Sequence, residues 1–264
     1  MTGASSGLGR EIARELALRH GANLVLTARR RDRLDALRGE LTKGAGVQVE
    51  IVPADLSRNG EPDRLFRQAV QGRVLYGAIL NAGVTHFGEH LELDWSAFEK
   101  LMATNVTSVA RLVHLAVPHL IENGSGGGLM LVTSLTALIP VPYQTAYSST
   151  KAFITTLGRG LHHELHNKDV SVTTFVPAAI DTEMIHLSGT VHTWSPKSIM
   201  VQAADACARE AVEAFAARRY MYVPRRFNRL QLALAPLLPR AFLGSQLASQ
   251  FRRALQRVRE QRND

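Results

Sequence analysis

Residues 1–10 read MTGASSGLGR, with glycines at positions 3, 7 and 9 running straight into a helical pattern. Glycines so placed let the backbone approach a pyrophosphate, and amides at the start of the following helix meet its negative charge. Such a loop joins a strand to a helix, yet only Met1 and Thr2 precede it. Glycine-rich turns are common, so the loop acquires meaning only from the pattern of the remaining chain.

That pattern is an alternation. Ile12, Ala13, Leu16 and Ala17 recur at helical spacing within 10–20, and Gly21 marks a stop. Largely apolar runs at 23–28, 47–52, 77–83, 128–134, 170–177 and 220–224 predict strands. Helices are predicted between them, at 30–42, 61–71, 94–122, 143–166 and 202–218. Strands that are apolar throughout, without polar alternation, belong to a parallel sheet covered on both faces. The expectation is one doubly wound α/β domain over residues 1–224 with an appended C-terminal extension at 225–264. In such a sheet the strand feeding the first loop is central, and strands need about five or six residues. With Met1 and Thr2 alone, the strands at 23–28 and 77–81 would flank an incomplete slot. The sequence therefore predicts a natural chain that begins upstream with an apolar strand.

The 264 residues are 45% hydrophobic and 20% charged, which fits a soluble globular protein. Cys207 is the only cysteine, so no internal disulfide forms and a reducing, cytoplasmic setting is expected, with the thiol in the core. Of the net charge of +8, nine arginines against two acidic residues place +7 in the extension. Its leucine-rich segments are broken at Pro236 and Pro239. Three readings compete for it: a lid over a substrate cleft, a subunit contact, or a basic amphipathic element on an anionic membrane. Nucleic acid is disfavoured, because no aromatic stacking platform accompanies the arginines. His162, His163, His166, His186 and His192 lack a completing carboxylate or cysteine, so no metal is expected.

Chemistry enters at the strand ends. After the strand at 23–28 come Ala28 and Arg29, where an acid would bind a ribose 2′-hydroxyl; a guanidinium instead suits a 2′-phosphate and favours NADP(H) over NAD(H). Tyr147 and Lys151 lie four residues apart, on one helix face. An ammonium beside a phenol stabilises the phenolate and fits the tyrosine for acid–base work. Most such pairs are surface pairs. Here, however, Ser134 ends the preceding strand, Asn81, Ala82 and Gly83 end another, VPAAIDT (176–182) ends a third, and Asn105 lies on the long helix. All fall at the carboxyl edge of the sheet, where ligands bind.

Thr2–Gly9 as T-G-x-x-x-G-x-G, N-A-G at 81–83, Ser134, Y-x-x-x-K at 147–151 and P-x-x-x-x-T at 177–182 together resemble the short-chain dehydrogenases/reductases over residues 1–224. The resemblance implies a Rossmann fold and NADP(H)-dependent interconversion of a carbonyl and a secondary alcohol. It implies catalytic roles for Ser134, Tyr147, Lys151 and Asn105: Tyr147 exchanges the proton, Lys151 tunes it and binds the nicotinamide ribose, Ser134 hydrogen-bonds the substrate oxygen, and Asn105 helps hold the lysine. Cofactor contacts are implied at Gly3, Ser5, Ser6, Gly7, Leu8, Gly9, Arg29, Asp55 and Leu56. Further ones are implied at Asn81, Ala82, Gly83, Tyr147, Lys151, Pro177, Ile180 and Thr182. Ala178 departs from the glycine usual in the family. Leu135, Val141, Pro142, Tyr143, Met184 and Ile185 flank these motifs and, with Ser134, are the expected substrate wall, apolar enough for a lipophilic substrate. A homodimer or homotetramer is expected. A non-catalytic NADP(H)-binding sensor or scaffold is the alternative, although it would not need all four of Ser134, Tyr147, Lys151 and Asn105.

Overall fold

The computed structural model describes residues 1–123, 126–139, 141–187, 200–234 and 240–263; His192, Pro236 and Pro239 lie outside the described residues. The elements alternate as the apolar runs require: α1 (Gly7–His20), β1 (Leu24–Leu26), α2 (Arg31–Ala45), β2 (Val49–Ile51), α3 (Glu61–Val70) and β3 (Gly77–Leu80). Then come α4 (Trp95–Met102), α5 (Ser108–Asn123), β4 (Gly128–Val132), α6 (Thr145–Glu164) and β5 (Ser171–Phe175). The carboxyl-terminal part adds β6 (Ala179–Ile180), α7 (Glu183–Leu187), β7 (Val201–Gln202), α8 (Ala204–Ala216), β8 (Met221–Tyr222), α9 (Arg226–Leu234) and α10 (Arg240–Asn263).

The main strands are parallel, in two pieces: β1 beside β2, and β3-β4-β5-β8. Thr2 joins the pieces through parallel bridges to Thr27 and Leu80. Its N–H donates to Ile79 O at 2.9 Å, and Thr27 N–H donates to Met1 O at 3.0 Å. The Met1 amino group reaches Val25 O at 2.6 Å. The slot between β1 and β3 is thus bridged at its carboxyl end by two residues without a regular strand.

Leu129, Met130 and Leu131 are all fully buried, alternating between the core under α5 and α6 and the core under α1 and α8. Burial on both faces is why these strands are apolar throughout, and each such side chain contributes roughly 1.5–3 kcal/mol. The predicted strands overrun at their carboxyl ends: Asn81–Gly83 and Ser134 leave the ladder and face a cleft at that edge of the sheet. The predicted helix at 94–122 is interrupted by a π-turn at Ala103–Thr107, which sets Asn105 inward at 1% exposure.

The extension does not trail away. Phe251, Ala254 and Leu255 of α10 are buried, and Phe251 meets Phe87 edge-on at 5.9 Å. Arg259 pairs with Glu92 (2.6 Å) and Glu89 (3.2 Å), and Arg252 Nε donates to the Tyr143 hydroxyl at 3.0 Å. Among the described residues no helix is long and apolar enough to cross a membrane.

Candidate active site

The glycine loop folds as a cradle. Gly3 (φ 72°) and Gly7 (φ 52°) occupy the left-handed region that glycine adopts freely. A Cβ on Gly9 would overlap the Gly3 carbonyl oxygen and crowd Asn81 Nδ2. Asn81 Nδ2 donates to Thr2 O and Gly3 O at 3.3 Å each, so this side chain braces the loop. Thr2 Oγ1 accepts from the amides of Asn81 (3.1 Å) and Ala82 (3.0 Å), coupling the loop to the N-A-G turn. Ser6 stands at the N-cap of α1, and its side chain makes no capping hydrogen bond to the helix. The first-turn amides therefore lack a side-chain acceptor and suit an anion.

The arginines after β1 divide. Arg30 binds Glu183 through both guanidinium nitrogens (3.0 and 2.9 Å) and also donates to Ser6 Oγ at 2.8 Å. Arg33 adds a bond to the same carboxylate at 2.9 Å, and the two arginines bring Glu183 down to about 2. Arg29 is exposed, lines the cleft and makes no hydrogen bond or ion pair among the described residues. Burial works to raise the nearby Asp55 carboxyl, but hydrogen bonds from Ser57 and the charge of Arg29 outweigh it and hold it below its usual range.

Ser134, Tyr147 and Lys151 converge where β4 meets α6. Ser134 Oγ accepts from Thr136 N–H (3.3 Å) and Thr136 Oγ1 (3.0 Å), which leaves its own hydrogen to donate. Burial around the Tyr147 hydroxyl pushes the phenol up to about 12, and the bond with Ser134 is what pulls it back. Lys151 Nζ stands 5.8 Å from the Tyr147 ring centre and donates to Val132 O at 3.0 Å. Its own burial lowers it to about 8. The expected depression of the tyrosine by the lysine is therefore not what governs this arrangement; desolvation dominates both groups. Asn105 makes reciprocal bonds with Val84 N–H (2.9 Å) and Val84 O (2.8 Å), and donates to Thr150 Oγ1 at 3.0 Å. It makes no direct bond to Lys151. Yet a Cβ on Gly83 would stand 3.4 Å from both Asn105 Oδ1 and Lys151 Nζ, so the two polar atoms converge on one small space.

One cleft of about 690 Å³ runs from the glycine loop and Arg29 to Ser134, Tyr147 and Lys151. Of the residues singled out from the sequence as catalytic, cofactor-binding or substrate-binding, all but Asn105, Pro142 and Tyr143 line it. Tyr143 is a correction: with φ 65° its hydroxyl accepts from Arg252 and it stays off the cleft wall. Pro142 is likewise not on the wall, whereas Val141, Leu135, Met184 and Ile185 are.

The family profile described as short chain dehydrogenase matches residues 1–190. The chain belongs to the short-chain dehydrogenase family. A very-long-chain 3-oxoacyl-CoA reductase of Anas platyrhynchos is 30% identical over 193 residues, 71% of this chain and 61% of that protein. A hydroxysteroid 11-beta-dehydrogenase 1-like protein of Gallus gallus is 38% identical over 192 residues, 69% of this chain and 64% of that protein. The matched stretch thus spans under two thirds of these relatives. A short-chain dehydrogenase from Sphingobium yanoikuyae, solved in complex with NADPH, superposes with TM-score 0.78 at 30% identity, covering 90% of this chain and 93% of that one.

In this short-chain dehydrogenase the extension is the part of the cleft that motif reasoning did not place. Leu232, Leu234, Leu247 and Phe251 line it from α9 and α10. α9 and α10 thus form part of the cleft wall. Glu183 and Gln144 were also missed, since neither falls in a motif position. Among the described residues no three His, Cys, Asp or Glu side chains group as a metal site; His186 pairs with Asp181 at 2.9 Å, and His162 packs on Tyr220 at 4.8 Å.

Proposed function

We propose that this chain is an NADP(H)-dependent oxidoreductase that interconverts a carbonyl and a secondary alcohol on a lipophilic substrate. The observation that carries the reading is the convergence of Ser134, Tyr147 and Lys151 on one cleft with a glycine cradle at its other end. The residues fit a dinucleotide: the helix start lacks a side-chain cap, and Gly3 and Gly9 have no room for a side chain. The loop at 5–9 would hold the pyrophosphate, Asp55 and Leu56 the adenine end, Arg29 the 2′-phosphate, and Tyr147, Lys151 and Pro177–Thr182 the nicotinamide end. When bound, the reduced nicotinamide supplies a hydride.

The chain's own residues do the rest. Tyr147 gives its proton to the carbonyl oxygen, and Ser134 donates a hydrogen bond to the same oxygen as negative charge develops there. The charged Lys151, held by Val132 O, stabilises the tyrosinate left behind. Leucine and phenylalanine side chains from α9 and α10 exclude water from the far wall. The relatives named as 3-oxoacyl-CoA and hydroxysteroid enzymes agree with a lipophilic substrate. A panel of alkyl, steroidal and sugar carbonyls, each with NADPH and with NADH, tests this by the loss of reduced-cofactor absorbance. Turnover of the alkyl or steroidal members with NADPH is expected; turnover confined to sugars would refute the lipophilic assignment.

Cofactor choice has its own test. Arg29→Asp removes the unengaged guanidinium and installs a charge that repels phosphate, so the ratio of kcat/KM for NADPH over NADH should fall at least about tenfold, the effect of losing one charge-assisted contact. An unchanged ratio would show that Arg29 does not read the phosphate.

A further inference from the structure

α9 opens the C-terminal extension with two faces of different character. Asn228 is buried, its Nδ2 donates to Pro224 O at 2.9 Å, and Gln231 and Leu232 line the cleft. Those contacts fix the inward face. Arg226, Arg229, Leu230, Ala233 and Leu234 are all exposed, and spacings of three and four place them on one side of the helix. Leu230 and Leu234 keep 57% and 49% of their surface in solvent. Leu234 and Met184, itself 39% exposed, also line the cleft, so both stand at its mouth. An ordinary soluble surface scatters such residues singly. Here arginines at one end of a helix face give way to leucines at the other, beside an apolar opening. Arg229 lies over the Tyr222 ring at 5.2 Å, which helps hold α9 against the domain. Arg226 makes no hydrogen bond or ion pair among the described residues, and α9 contains no acidic residue. Residues 225–264 carry +7 of the chain's net +8.

We propose that this face of α9 docks the protein on an anionic lipid bilayer, with the cleft mouth turned toward the lipid. Arg226 reaches headgroup phosphates, while Leu230 and Leu234, one and two turns further along, enter the boundary with the acyl chains. The docking is peripheral, because the nine residues of α9 are too few to span a bilayer. A second copy of the chain fits this face less well. A two-fold contact is self-complementary, and it would set the arginines of one copy against an equally basic face with no carboxylate to meet them. A bilayer of acidic lipids supplies the opposite charge and the apolar layer together. For a lipophilic substrate the docked mouth gives entry without passage through water. That benefit rests on the carbonyl-reductase reading, whereas the docking does not.

Sedimentation of the full chain with extruded liposomes tests the docking, using phosphatidylcholine alone and phosphatidylcholine with phosphatidylglycerol in equal parts. The wild-type protein should pellet with the anionic liposomes, less with the neutral ones, and less as salt is added. Arg226→Gln should lower the partition coefficient about fivefold, the effect of one arginine at an anionic surface. Leu230→Ser should lower it at least about fivefold through lost apolar contact. Neither residue lines the cleft, so each variant should melt as the wild-type protein does and reduce a water-soluble ketone with NADPH at an unchanged rate. Absence of wild-type turnover would count against the carbonyl-reductase reading alone, since sedimentation does not depend on it. Wild-type protein left in the supernatant by anionic liposomes would overturn the docking. Leu230→Ser pelleting like the wild-type protein would also overturn it, by reducing the contact to surface charge. So would wild-type dimers that Leu230→Ser dissociates, with no liposome bound, which would give the face to a second copy.

Discussion

Tyr147→Phe should lower carbonyl reduction by about 10²–10⁴-fold, the span of a positioned general acid, while NADPH affinity measured by fluorescence titration is retained. Phenylalanine keeps the ring against Lys151 and removes only the hydroxyl. The proton it carries is well placed to serve as an acid. With the phenol at about 12, Tyr147 is protonated throughout the neutral range and gives its proton up only to a more basic oxygen, such as an alkoxide formed as hydride arrives. The bond from Ser134 is lost with it, so Ser134→Ala should cost less than Tyr147→Phe. Undiminished turnover in Tyr147→Phe would sink the assigned chemistry.

Lys151→Met should cripple turnover and, unlike Tyr147→Phe, also weaken cofactor affinity, because one ammonium serves both the tyrosinate and the cofactor ribose. The wild-type pH profile carries the same signature. Burial lowers Lys151 from 10.5 to about 8, so it is charged below that pH and neutral above it. Reduction needs the charge, and the reductive kcat/KM should therefore fall as pH rises through about 8; the methionine variant should lack that limb. The effect on stability has the opposite sign. Between about 8 and 10.5 the unfolded chain holds a proton that the folded one has released, so this group makes the fold more stable as pH rises across that window. A reductive profile flat to pH 10 would remove Lys151 from the mechanism.

What the sequence disclosed depended on how local the cause was. Leu129, Met130 and Leu131 announce a strand because both faces of it are buried, a property written into consecutive residues. The glycine cradle and the Tyr147–Lys151 pair are equally local, and the cleft receives them where the motifs place them. The rest turns on distant contacts. Glu183 meets Arg30 across 153 positions, and no spacing rule links them. Nothing local in α10 says that Phe251 packs against Phe87 or that Leu247 lines the cleft. Tyr143 misled because closeness in sequence to Tyr147 resembles membership of the site; a left-handed φ turns it to Arg252 and leaves its neighbour Gln144 on the wall. The π-turn at Ala103–Thr107 left no apolar signature, since its side chains continue the helical pattern of α4 and α5.

The most direct measurement is isotopic. The protein is incubated with a lipophilic ketone and NADPH deuterated at the transferable C4 position, and the product is analysed by mass spectrometry. The account predicts a secondary alcohol carrying one deuterium at the carbinol carbon, formed by the wild-type protein and lost in Tyr147→Phe. A protein that binds NADPH yet forms no deuterated alcohol from any carbonyl offered would contradict it, and would leave the cleft as a cofactor-binding site without chemistry.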